Sequence, residues 1–208
     1  MSARTAGGDK QSFIEQARRA QIVASATKVI AETRYAGASL ALIAEDAGIS
    51  KGVISYHFTS KSELMEEVVR RILAEVVEFV VESVKDRESA TEVLRGQILA
   101  VAEHMRERPA AIMALHEIAA NMRAPDGSLR SGIEASEEIL RLLEGIYEMG
   151  QRTGEFRAFD CRVMAVTHNA AVNDMFAYWA THPGHDLDAH AAELADVFVR
   201  ATREEPSA

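Results

Sequence analysis

Residues 48–64 read GISKGVISYHFTSKSEL. A glycine stands before a segment of about seven residues, and a second helix start follows at SKSE. Lys51, Ser55, Tyr56, His57 and Lys61 crowd into that short span without any of the usual catalytic spacings. Gly48 suits the end of a helix, because glycine enters the left-handed conformation without a Cβ clash. Upstream, Leu40, Ile43, Ala44 and Ala47 repeat at helical spacing behind Ser39, an N-cap residue type. Downstream, Ser50 can cap a helix over 51–58, in which Ile54 and Phe58, with Ile49 just before it, face inward. Ser60 to Glu63 forms a capping box that opens a long helix to about Val84. Two short helices joined through a glycine, with a third packed behind, make a helix-turn-helix. Its second helix would offer Lys51, Gly52, Val53, Ser55, Tyr56 and His57 as a surface of small or polar base-readers flanked by phosphate donors. Lys61 opens the next helix, where the helix dipole favours anions; a bound phosphate would relieve that conflict.

The rest of the chain reads as helices too. Ile22, Val23, Ala26, Val29 and Ile30 share one face of an N-terminal helix that SFIE, at 12–15, could cap. SATE at 89–92 is a further capping box, Pro109 fits a first helical turn, APDGS at 124–128 is a turn, and Gly154 is a helix stop. HPGH at 182–185 separates the last two long helices. The expectation is an all-α protein of about nine helices: a flexible tail over 1–11, a helix-turn-helix domain over 12–60, and a ligand-binding and dimerisation domain over 61–208, the two domains bridged by a helix over 61–84.

Charge follows the same division. Residues 1–62 carry eight Lys or Arg against five Asp or Glu, a net +3, whereas the remaining fifteen basic and 27 acidic residues give −12. A basic module on an acidic body reconciles an overall charge of −9 with a nucleic-acid partner. The most apolar run, ILAEVVEFVV at 72–81, holds two Glu, so no segment reaches the roughly 18 apolar residues of a membrane span. The polar start MSARTAGGDKQS lacks a signal core, and a single cysteine, Cys161, fits a reducing cytoplasm. Cys161 reads as a small hydrophobe rather than a redox sensor. There is no Gly-rich phosphate loop, G-x-S-x-G elbow or HExxH, so neither catalysis nor a cofactor is expected. His182, His185 and His190 cluster around a Pro-Gly loop without helical i, i+4 pairing and read as a solvent loop, not a metal site.

Residues 22–69, with IA and AGIS in the first short helix and its turn, then KG, YHF and SKSEL, closely resemble the DNA-binding domain of TetR-family transcriptional regulators. QRTGEF, FAYW and HPGHDL agree more loosely further on. The resemblance implies a homodimeric regulator, a repressor, bound to a palindromic operator and released by a small molecule. It assigns Tyr56, His57 and Lys61 to phosphates, Lys51, Gly52 and Val53 to base edges, and Ser39 to the DNA backbone. Two positions depart from the family: Ser55 where Tyr is frequent, and Arg34 where Gly is usual. The last two helices would pair across the two-fold. Leu187, Ala191, Leu194, Phe198 and Ala201 step by 4, 3, 4, 3 as a seam, and Val172, Met175, Phe176 and Trp179 line the preceding helix. Phe79, Met105, Met113, His116, Asn169, Asn173 and Phe176 are the candidate lining of a mainly apolar effector cavity. Two other readings compete: a TetR-like scaffold acting only through protein partners, and a helical enzyme. The intact Lys51, Tyr56, His57 and Lys61 set favours the regulator.

Overall fold

A computed structural model describes residues 5–123, 133–182 and 184–203, so the 124–128 turn and the first four residues lie outside what is described. Nine helices make up the described residues: α1 (Thr5–Gly37), α2 (Leu40–Asp46), α3 (Lys51–His57), α4 (Lys61–Val84), α5 (Ala90–Arg106), α6 (Pro109–Asn121), α7 (Ile133–Thr153), α8 (Cys161–Thr181) and α9 (Leu187–Thr202). α1 begins at Thr5, so residues 5–11 continue a helix instead of forming a tail, and Ser12 lies inside it rather than capping it. Once a helix is nucleated by its packed part, each further residue adds a hydrogen bond at little cost.

The chain forms two compact units, one of 1–71 with 113–129 and the other of 72–112 with 130–208. The division falls within α4 and within α6, not at the expected 60/61 boundary. In the first unit, Ile22, Val23, Ala26, Val29 and Ile30 of α1 are buried together with Ile43, Ala44, Ile54 and Phe58. Complete burial of Ile54 and Phe58 contributes about 2 kcal/mol each and fixes α3 against its supports. Gly48 has φ +63°. Its N–H donates to the Glu45 carbonyl, and that of Ile49 to the Ala44 carbonyl, which closes α2 with a Schellman motif.

The second unit is built on α5, which packs along α9, with α7 and α8 paired beside it. Gly154, at φ +74°, ends α7 by the same motif that ends α2. The buried stripe of α8 is Ala165, His168, Val172, Met175 and Phe176; that of α9 is Leu187, Ala191, Ala195, Phe198 and Val199. These stripes correct the expected dimer seam. Val172, Met175, Leu187, Ala191 and Phe198 are core residues of their own protomer, because the apolar side of α9 is taken by α5. Trp179, Leu194 and Ala201 are half-buried.

Candidate nucleic-acid interface

The exposed side of α3 presents Lys51, Gly52, Ser55 and Tyr56, with Val53 and His57 half-buried beside them. Tyr56 is 75% exposed although it is a large aromatic residue, and its ring meets His57 edge-on at 5.0 Å. Ser39 takes up its expected position: its hydroxyl accepts the N–H of Leu42 and caps α2. Ser50 holds the extended N-cap backbone of α3, but its hydroxyl makes no capping bond. At the α4 start the capping box is displaced by one residue. Ser60 accepts the N–H of Glu63, while the Glu63 carboxylate accepts both the N–H and the hydroxyl of Thr59.

The polar side of α1 holds this surface in place, a role the sequence reading missed. Arg19 donates to the His57 carbonyl at the end of α3 (2.6 Å), lies 4.3 Å over the Phe58 ring, and approaches Glu67 at 3.9 Å. Gln21 donates to the Ala47 carbonyl at the end of α2. One helix thus caps the C-terminal ends of both helix-turn-helix elements. The signal in the sequence was Arg19 standing three residues before the apolar stripe begins.

Lys61 is already engaged within the chain. Its ammonium donates to the Tyr35 carbonyl at the end of α1 (2.5 Å) and sits 4.3 Å over the Tyr35 ring. Partial burial pulls its pKa below the usual lysine value. Its charge is therefore met by that carbonyl and by the face of that ring. Arg34 has φ 65° and ψ 167°, a region that glycine alone enters freely, which accounts physically for glycine at the matching family position. Glu117 stabilises this joint. One oxygen accepts from the Arg34 guanidinium (3.0 Å) and the other from the Tyr35 N–H (2.9 Å), and the Tyr35 N–H is the main influence holding the carboxyl below its ordinary pKa.

The candidate effector residues differ in exposure. Met105 and Phe176 are buried, and Phe79, Met113 and Asn169 are half-buried. His116 and Asn173 are exposed and line no interior. His116 lies opposite the buried Ala114 and Ile118 of α6, and Asn173 lies on the outer side of α8. The polar residue at the centre of the second unit is instead His168. It is wholly buried and stacks 4.5 Å from Phe198; Nδ1 meets the Tyr147 hydroxyl at 2.8 Å and Nε2 meets the Gln97 amide at 2.5 Å. Burial pushes its pKa down to about 3. His104 is the counterexample, with both ring nitrogens buried and unpartnered. It helps line an open cleft of about 400 Å³ with Glu75, Glu78, Phe79, Glu82, Ser83 and Arg108. No group of three metal-ligating side chains occurs among the described residues, nor is any described helix long and apolar enough to cross a membrane.

Residues 22–68 match the family described as bacterial regulatory proteins, tetR family. The fatty acid metabolism regulator protein of Bacillus subtilis is 24% identical over 86% of this chain and 92% of its own length. The BetI transcriptional regulator of Vibrio vulnificus is 41% identical over 59 residues, which cover 28% of this chain and only 30% of BetI. In structure, FadR of Bacillus subtilis, solved in complex with stearoyl-CoA, superposes with a TM-score of 0.79 at 22% identity, covering 88% of this chain and 98% of FadR. The helix-turn-helix geometry and the matched segment agree: residues 22–68 carry the DNA-binding segment of the tetR family of bacterial regulatory proteins, on a chain that shares the fold of the Bacillus subtilis FadR.

Proposed function

We propose that the protein is a cytoplasmic, homodimeric repressor that binds a palindromic operator and is released by a small apolar or amphipathic effector, with no catalytic activity of its own. The observation that carries this reading is the α3 surface: Lys51, Gly52, Ser55 and Tyr56 are exposed together on a helix whose end is held by Arg19. An exposed tyrosine beside a lysine on a short, rigidly supported helix fits insertion into a major groove. Lys51, Gly52 and Val53 are proposed to face base edges. Ser39, Tyr56, His57 and the remaining donors of Lys61 are proposed to contact phosphates, with Ser55 between the two sets.

A two-fold dimer would present two such helices to successive grooves. Since the α9 stripe is internal, the dimer face is proposed on the exposed side of α8 and α9, where Val163, Val166, Tyr178 and Val197 are 47–64% exposed. The lipid-sized ligand bound by the Bacillus subtilis FadR supports an effector with a long apolar part. Binding to the DNA flanking the protein's own gene tests the whole reading. Lys51→Ala should leave the fold intact and weaken binding to operator while changing binding to random DNA little. An equal loss on both, with the slope of log K against log salt smaller by about 0.9 per lost contact, or about 1.8 per dimer, would move Lys51 from a base edge to a phosphate. No effect on either would remove α3 from the interface.

A further inference from the structure

We propose that Glu117 is a positioning residue for DNA binding: through Arg34 and Tyr35 it keeps the Lys61 ammonium in a fixed seat, from which the remaining N–H groups of that ammonium reach a phosphate. The inference rests on the DNA-binding reading above and adds to it a residue of α6. It starts from Arg34, whose φ of 65° and ψ of 167° persist in a residue other than glycine only where its surroundings over-determine them. Two hydrogen bonds supply that restraint, and both end on one carboxylate. One Glu117 oxygen accepts from the Arg34 guanidinium at 3.0 Å and the other from the Tyr35 N–H at 2.9 Å. The Glu117 side chain is only 14% exposed, so water competes little for either bond.

The same backbone turn fixes Lys61. The ψ angle of Arg34 orients the peptide that joins it to Tyr35, and with it the direction in which Tyr35 is presented. The Tyr35 carbonyl accepts the Lys61 ammonium at 2.5 Å, and the Tyr35 ring lies 4.3 Å beneath it. One residue makes both contacts, so any rotation of Tyr35 removes both. Glu117 bonds to Arg34 and Tyr35 rather than to Lys61, and its influence on the ammonium therefore passes through the backbone. An ammonium has three donors, and the seat occupies one of them. A lysine side chain is rich in rotamers, and ordering it on binding subtracts from affinity; a seat formed in advance removes that loss. Without Glu117 the strain at Arg34 is unopposed. The turn relaxes, Tyr35 rotates, and Lys61 has to be ordered by the DNA itself.

Binding of the full-length protein to the DNA flanking its own gene, and to random DNA of equal length, tests the inference, with circular dichroism confirming that each variant is folded. Glu117→Met keeps the side-chain volume but offers no acceptor. It should weaken binding about fivefold per subunit, the penalty for ordering one lysine side chain. The loss should be equal on both DNAs, because phosphate contacts position without specifying. In a Lys61→Met background the same change should have no further effect, which a merely structural role for Glu117 would not produce. Glu117→Gln retains an acceptor for the Tyr35 N–H and should lose no more than about twofold. Arg34→Gly holds the turn without strain, and in the Glu117→Met protein it should recover most of the loss. Tyr35→Leu removes only the ring beneath the ammonium and is a second probe of the seat. It should weaken binding about twofold, again only while Lys61 is present. Undiminished affinity in Glu117→Met, an equal loss with and without Lys61, a loss on operator alone, or no recovery by Arg34→Gly would each overturn the inference and leave the regulator standing. Absence of DNA binding by the parent protein would overturn the regulator and this inference with it.

Discussion

Arg34 shows what one backbone angle costs. A non-glycine residue in its φ/ψ region stores about 1–3 kcal/mol, while its ion pair with Glu117, on a side chain 62% exposed, returns less than about 1 kcal/mol. Arg34→Gly is therefore expected to raise the melting temperature by roughly 2–4 °C, the equivalent of about 1 kcal/mol, after allowing for the flexibility glycine adds to the unfolded chain. Arg34→Ala keeps the Cβ, loses the pair, and should melt at or below the parent in the same calorimeter. His168 supports a pH prediction. Its native pKa is about 3, against 6.5 for an exposed imidazole. Below pH 6.5 the unfolded state takes up a proton that the native state refuses, so stability falls as pH drops and this contribution levels off near pH 3. Between pH 6 and 4 the slope should be steeper by about 1.4 kcal/mol per pH unit than in His168→Gln, as read from urea titrations. The departure at Arg34 was visible in the sequence through the family pattern; its cause was not, because a dihedral angle and a carboxylate 83 residues away leave no local mark. His168 is a polar residue on an apolar helix, but its partners Gln97 and Tyr147 lie on other helices, at separations no periodicity encodes.

Local signals determined most of the element boundaries. Gly48, Gly154, Pro109 and the Ser89–Glu92 box act within a turn of the chain, and each ends or begins a helix where its chemistry requires. The reading failed where two surfaces competed for one apolar stripe. The 4, 3, 4, 3 spacing of α9 specifies a helix with a packing side and is silent on whether that side meets α5 or a second chain. α5 also shows capping from afar. Besides Ser89, its first turn is held by Glu155, whose carboxylate accepts the N–H groups of Ala90 and Thr91. Burial alone would raise the Glu155 pKa, but these bonds bring it below the ordinary value. Glu155→Ala should cost about 1–2 kcal/mol in chemical denaturation, since it strips two donors at the positive end of a 17-residue helix. A negligible change would mean that Ser89 alone is a sufficient cap.

At the level of the molecule, the corrected faces of α8 and α9 change which substitution interrogates assembly. Phe198 and Ala191 are core residues, so altering them would unfold the protomer and say nothing about pairing. Val166 is 47% exposed, and Val166→Glu should leave the protomer folded. If the outer side of α8 is the two-fold interface, like charges facing across the axis should shift light scattering to the monomer mass and weaken operator binding. A dimer persisting at micromolar concentration would move the interface elsewhere. α6 carries residues of both compact units, and its Glu117 accepts the Tyr35 N–H. That single amide proton is therefore a spectroscopic clock. Its exchange with deuterated solvent is slowed while the carboxylate stays in place. A bound effector that shifts α6 would be recorded at Tyr35, on the helix that supports the DNA-reading surface, without any change in the amides of α3 itself.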